Sequence, residues 1–107
     1  MPEELEVDPQ SLRGMIETKQ PFFFLDCREP HEFEVARIDG ATLIPMREIP
    51  HRIEEIPKNL PVVVYCHHGM RSMNVTIWLR TNAVDARSLA GGIDRWSEEI
   101  DPSVPRY

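Results

Sequence analysis

The sequence has 107 residues, of which 41% are hydrophobic and 28% charged, enough to bury one core and too few for two. Its 12 basic and 18 acidic side chains leave a net charge of −6, which argues against nucleic acid or an anionic membrane surface as the main partner. No apolar run approaches the roughly 20 residues of a membrane span, and the two cysteines have neither metal-ligand spacing nor the number expected of a disulfide scaffold. We therefore expect a single domain over residues 1–107.

In chain order, Met1-Pro2-Glu3-Glu4 is acidic and has no apolar signal core, so a cytoplasmic location is expected. Leu5-Glu6-Val7 reads as a short first strand. Asp8-Pro9 then starts a helix, with Asp as N-cap and Pro in the first turn, running to about Thr18 over a buried stripe of Leu12, Met15 and Ile16. Pro21 separates it from Phe22-Phe23-Phe24-Leu25-Asp26-Cys27, a continuous aromatic and apolar run of the kind buried on both faces of a sheet. Asp26 and Arg28 fall at the end of that strand, the side of an α/β sheet where ligands bind. Glu29 to Glu34 suggests a short helical turn, and Gly40 to Pro45 a turn and a brief strand. Arg47 to Glu55 has Ile49, Ile53 and Ile56 at helical spacing, which predicts an amphipathic helix in which Pro50 falls in the first turn or distorts it.

Val62-Val63-Val64-Tyr65 is a second buried strand. It ends at Cys66, and His67-His68-Gly69-Met70-Arg71 connects it to a helix expected from Ser72, as N-cap, to Asn82, with Met73, Ile77 and Leu79 around Trp78 as its apolar pattern. Ala86 to Ala90 is the next strand, and Gly91-Gly92 permits a close backbone turn into a last helix with Ile93, Trp96 and Ile100 on one face. Prolines keep residues 101–107 as an extended tail. Strands alternating with helices make a parallel sheet with helices on both faces.

The strand-to-helix turn after Cys66 is the candidate active site. Such a turn gathers unpaired amide N–H groups and the positive end of a helix dipole at one point. Arg71, and His67 or His68 when protonated, add positive charge, and no Asp or Glu occurs between Ile56 and Val84. Each of these favours a thiolate at Cys66. Consecutive histidines point in different directions, so at most one of His67 and His68 faces a substrate. For the same reason a metal site built from them with Cys66 has poor geometry, and neither a metal nor an organic cofactor is expected. Arg71 either holds an anionic substrate or stabilises the loop as a hydrogen-bond donor.

Cys66 to Ser72, together with Asp26-Cys27-Arg28-Glu29-Pro30, Glu32-Phe33, Ala36-Arg37-Ile38-Asp39-Gly40-Ala41, Ile44-Pro45, Gly91-Gly92-Ile93 and Trp96, resembles the rhodanese homology domain in its single-domain form. The resemblance covers essentially the whole chain. Arg37, Asp39 and Cys27 stand where the family often has His, Pro and an aliphatic residue. What the resemblance implies is a three-layer α/β fold with five parallel strands in the order 1-5-4-2-3, and sulfur transfer through a persulfide on Cys66 without cofactor or metal. It further implies a loop of His67, His68, Gly69, Met70, Arg71 and Ser72 around that persulfide, with Asp26 and Arg28 as scaffold behind the loop. Thiosulfate or a similar small donor would supply the sulfur, and a thiol, cyanide or a protein cysteine would accept it; the oligomeric state is left open.

Two other readings compete. Related phosphatases and arsenate reductases use a loop cysteine and arginine on this fold, but in a Cys-x5-Arg pattern wide enough for a tetrahedral oxyanion. Here Ser72 occupies that arginine position and Arg71 comes one residue early, so the loop suits a single sulfur atom better. A non-catalytic binding module of the same fold would be expected to lack the loop cysteine. Cys27 reads as a core residue, unless its strand end is level with that of Cys66, in which case the two could join as a disulfide.

Overall fold

The computed structural model describes residues 4–107, so Met1, Pro2 and Glu3, which entered the expectation of a cytoplasmic location, lie outside the described residues. The apolar runs form the strands β1 (Glu6–Val7), β2 (Phe23–Asp26), β3 (Thr42–Leu43), β4 (Val62–Tyr65) and β5 (Ala86–Leu89). They pair in parallel as one five-stranded sheet in the order β1-β5-β4-β2-β3, the order implied by the resemblance. The central pair is in register along its whole length, from Phe23 opposite Val62 to Asp26 opposite Tyr65.

Because β2 and β4 alternate sides while being apolar on both, the core of this one domain lies in two layers, one on each face of the sheet. On one face Leu25, Val62 and Val64 pack against Ile44, Ile49, Val75 and Leu79; on the other Phe24, Val63 and Tyr65 pack against Leu12, Ile93 and Trp96. The first face is covered by helix α3 (Met70–Thr81) and a 3-10 segment, Met46–Glu55, and the second by α1 (Pro9–Glu17) and α4 (Gly92–Glu99). The short helix α2 (Pro30–Val35) leads Ala36 and Ile38 into this second layer. Asp8 caps α1 as expected, its side chain accepting a 2.7 Å hydrogen bond from the Ser11 amide. The tail beyond α4 forms no further helix or strand, yet Val104 is buried and its carbonyl accepts a hydrogen bond from Ser97 Oγ.

Several local expectations are corrected. Met46–Glu55 is a 3-10 segment, with non-helical backbone at Arg52, and not an amphipathic α-helix. Pro50 lies inside it, lacks an N–H and crowds the preceding turn, which α-helical geometry does not tolerate. Helix α3 begins at Met70 behind Gly69, not at Ser72, and its buried stripe is Ser72, Val75, Thr76 and Leu79. Ile77 and Trp78 are exposed. Two of the sheet-facing positions are therefore hydroxyl residues, which shifts the apolar period to the wrong side. Ile16 of α1 is exposed as well, leaving Leu12 and Met15 facing the core.

No helix of the described residues is long and apolar enough to cross a membrane. Leu25, fully buried at the centre of the sheet, tests the packing: Leu25→Ala is expected to cost about 2–5 kcal/mol. Urea unfolding should show a lower midpoint with an unchanged slope.

Candidate active site

The parallel order brings the C-terminal ends of β2, β4 and β5 side by side, so the segments that follow them meet at one edge of the sheet. Cys66, the residue after β4, is 1% exposed. Gly69 takes a positive φ of 110°, which turns the chain sharply enough for α3 to begin at once. The first amides of a helix have no partner within it, and here two of the loop and first-turn amides converge on sulfur. The N–H groups of Gly69 and Ser72 donate to Cys66 Sγ at 3.1 and 3.3 Å. Ser72 Oγ lies 3.4 Å from the same sulfur and 2.7 Å from Ser88 Oγ on β5. Ser72 thus serves in the first turn of α3, with both its amide and its hydroxyl turned to Cys66.

The outer side of the loop is held by α4. Ile93 N–H donates to the carbonyl of Cys66 at 2.9 Å and Asp94 N–H to that of His67 at 3.1 Å. Gly92, with φ at 62°, makes this approach possible, because a β-carbon there would overlap both carbonyl groups.

The charges around the loop differ from the expectation. The window between Ile56 and Val84 has no acid in sequence, but Glu32 arrives from α2 and Asp94 from α4. Arg71 forms a two-pronged pair with Glu32, at 2.8 and 2.9 Å. Glu32 Oε2 also accepts from the Tyr107 hydroxyl at 2.8 Å, and Oε1 from the Glu29 amide at 3.0 Å. These bonds, that of Arg71 above all, hold the Glu32 carboxyl at about 2, well below the ordinary 4.5. Tyr107 Oη in turn accepts from Arg28 Nη1 at 2.8 Å. Arg28 and Asp26 are fully buried side chains joined by bonds of 2.9 and 2.6 Å, and Arg28 also donates to the Ala36 carbonyl.

His67 is stacked between His68, at 4.0 Å, and the Tyr107 ring, at 3.8 Å and nearly parallel. Burial, with His68 beside it, pushes its imidazole below the ordinary value, which disfavours a positive charge on His67. Among the described residues, His67, His68 and Asp94 are the one grouping with metal-ligand chemistry, their ligand atoms within 4.8 Å of one another. Arg106 already occupies both carboxylate oxygens of Asp94, at 3.0 and 3.1 Å, and Cys66 is not in the group. His68 and Met70 are exposed, Met70 at 82%.

Ser88, Glu32, Asp94 and Tyr107 were not identified as site residues from sequence. A serine at an inward position of a buried strand was a signal for Ser88, and the Glu29 to Glu32 spacing announces the reciprocal cap seen at α2. Nothing local points to Tyr107.

The rhodanese-like domain family matches residues 8–99. The chain belongs to that family. A sulfurtransferase of Allochromatium vinosum is 34% identical over 92% of this chain and 94% of its own. The probable adenylyltransferase/sulfurtransferase MoeZ of Mycobacterium tuberculosis is 30% identical over 94% of this chain, which spans only 26% of MoeZ. Among solved structures, a rhodanese-like domain protein from Staphylococcus aureus superposes with a TM-score of 0.83 at 27% identity, over 95% of this chain and 97% of the other.

In this rhodanese-like domain Glu32 links acid stability to the site. Its carboxyl is protonated more readily in the unfolded chain than in the folded one. The stability it contributes is therefore complete above about 4.5 and lost as pH falls towards about 2. Glu32→Gln should lower the urea midpoint at neutral pH and flatten its decline across that interval; parallel acid limbs in the two proteins would contradict the assignment.

Proposed function

We propose that the protein is a sulfurtransferase in which Cys66 carries the transferred sulfur as a persulfide. The observation that carries this reading is the convergence of the Gly69 and Ser72 amides on Cys66 Sγ, at 3.1 and 3.3 Å. Donors aimed at one sulfur suit a negatively charged sulfur there and little else. The family and the relatives named as sulfurtransferases support the reaction class.

In the first half-reaction the Cys66 thiolate attacks the outer sulfur of a donor such as thiosulfate. The new Sγ–S bond forms as the S–S bond of the donor breaks, and sulfite leaves with the electron pair. The terminal persulfide sulfur is anionic and remains among the loop amides. In the second half a thiol, cyanide or a protein cysteine attacks that terminal sulfur and Cys66 departs as the thiolate. The pairing of Arg71 with Glu32 supports its role as a fastener between the loop and α2. Asp26 and Arg28 act one step further back, through Tyr107. Both cysteines are free, which suits a reducing compartment such as the cytoplasm.

Intact mass after incubation with thiosulfate tests the reading. A gain of about 32 Da, removed by a thiol or by cyanide and absent in Cys66→Ser, is expected. Sulfur retained by the serine variant would refute the assignment of Cys66. No gain in the native chain, accompanied by hydrolysis of an aryl phosphate, would favour the phosphatase.

A further inference from the structure

Cys27 has no part in the reaction above, yet the sheet places it beside Cys66. The register of β2 and β4 sets Asp26 opposite Tyr65, and the Cys27 N–H continues the ladder with a 3.1 Å bond to the Tyr65 carbonyl. Cys27 and Cys66 are thus the next level pair. Both belong to the core on the α3 face, with Leu25, Val62 and Val64, so their side chains leave the sheet on the same side. Level positions on neighbouring strands are about 4.8 Å apart, inside the range of roughly 4.4–6.8 Å that a disulfide spans between α-carbons. The Cys27 thiol has one weak contact, 3.5 Å to the Tyr65 carbonyl, that would have to be released.

We propose that Cys27 is a resolving thiol for Cys66: after hydrogen peroxide oxidises Cys66, Cys27 closes an internal disulfide that protects the sulfur and halts transfer. This rests on Cys66 being the reactive thiol of the site. In the first step the Cys66 thiolate attacks one peroxide oxygen, the O–O bond breaks, and with one proton taken up the products are a sulfenic acid and water. In the second, Cys27 sulfur attacks Cys66 sulfur and the hydroxyl leaves as water with the Cys27 proton. Each thiol sulfur has lost one electron, and the peroxide has taken both to give two waters. A dithiol reductant reverses the bridge.

The surroundings suit this division of labour. Burial, and then the negative charge of Cys66, push the Cys27 thiol far up, so in the resting protein it stays protonated and does not compete for the sulfur donor.

The test titrates the reduced native chain, Cys27→Ser and Cys27→Ala with hydrogen peroxide, followed by intact mass and tryptic peptides kept free of reductant. The native chain should lose about 2 Da, give a peptide joining Cys27 to Cys66 within one molecule, and lose its sulfur-loading capacity until dithiothreitol restores it. The variants should instead gain about 16 and then about 32 Da, with no recovery of loading. Equal rates of sulfinic acid formation in native chain and variants, with no joined peptide, would overturn the proposal. The joined peptide is read in the native chain alone, so a variant that fails to fold does not remove the test. The two readings also separate: a joined peptide without loading from thiosulfate would count against that donor alone, and loading without a joined peptide against Cys27 alone.

Discussion

A peptide loop that must point its amides inward at one atom has to point carbonyls outward, and those carbonyls need partners of their own. That constraint shapes the edge of the sheet around Cys66. The outward carbonyls of Cys66 and His67 are taken by the first amides of α4, so the unpaired donors of one helix start face the sulfur while those of another close the back of the loop. At Gly69 and at Gly92 a side chain would oppose this, at the first through its backbone angle and at the second through overlap with the carbonyls it approaches. The parallel order of the strands then acts as the frame, since only with β4 between β2 and β5 do Ser88, Cys27 and the loop share one edge.

The charged groups form a second layer that ties distant segments to the loop. Asp26, Arg28, Tyr107, Glu32 and Arg71 are linked in series, from the end of β2 through the tail and α2 to the first turn of α3. Two cations and two carboxylates alternate along this series, with a phenol between the pairs; the buried charges of Asp26 and Arg28 satisfy each other, Asp26 accepting also from the Arg28 amide and Arg28 donating also to the Ala36 carbonyl. Burying a charge without such partners costs several kcal/mol, which is why the series is closely packed. A consequence is that Arg71 does not stand over Cys66 as a bare cation.

Much of the architecture was legible in the sequence because the central strands are short, β-branched or aromatic runs bounded by Pro and Gly, and because helices alternate with them. The strand order came from family resemblance alone, since spacing does not encode which parallel strands are neighbours. Local errors came from competing chemistry. Pro50 turned a helical apolar period into a 3-10 segment, and Ser72 and Thr76 took inward positions on α3 that an apolar pattern assigns to Met73 and Ile77. The loop around Cys66 was legible through Gly69 and the following helix start. Its electrostatics were not, because Glu32, Asp94 and Tyr107 reach it through tertiary contacts that no local window contains. The level placement of Cys27 and Cys66 is likewise a matter of register, which two strands settle only when they pair.

The use of α4 amides to hold the loop also sets an order in time. Chains emerge from the ribosome N-terminus first, so a nascent chain complete only through α3 already has Cys66, its loop amides and Arg71. It lacks Ser88, the strand that seats it, and the Ile93 and Asp94 amides that satisfy the loop carbonyls. The cysteine is therefore made early, and the groups that seat its loop come late. The amides that close the back of the loop arrive only with the last helix.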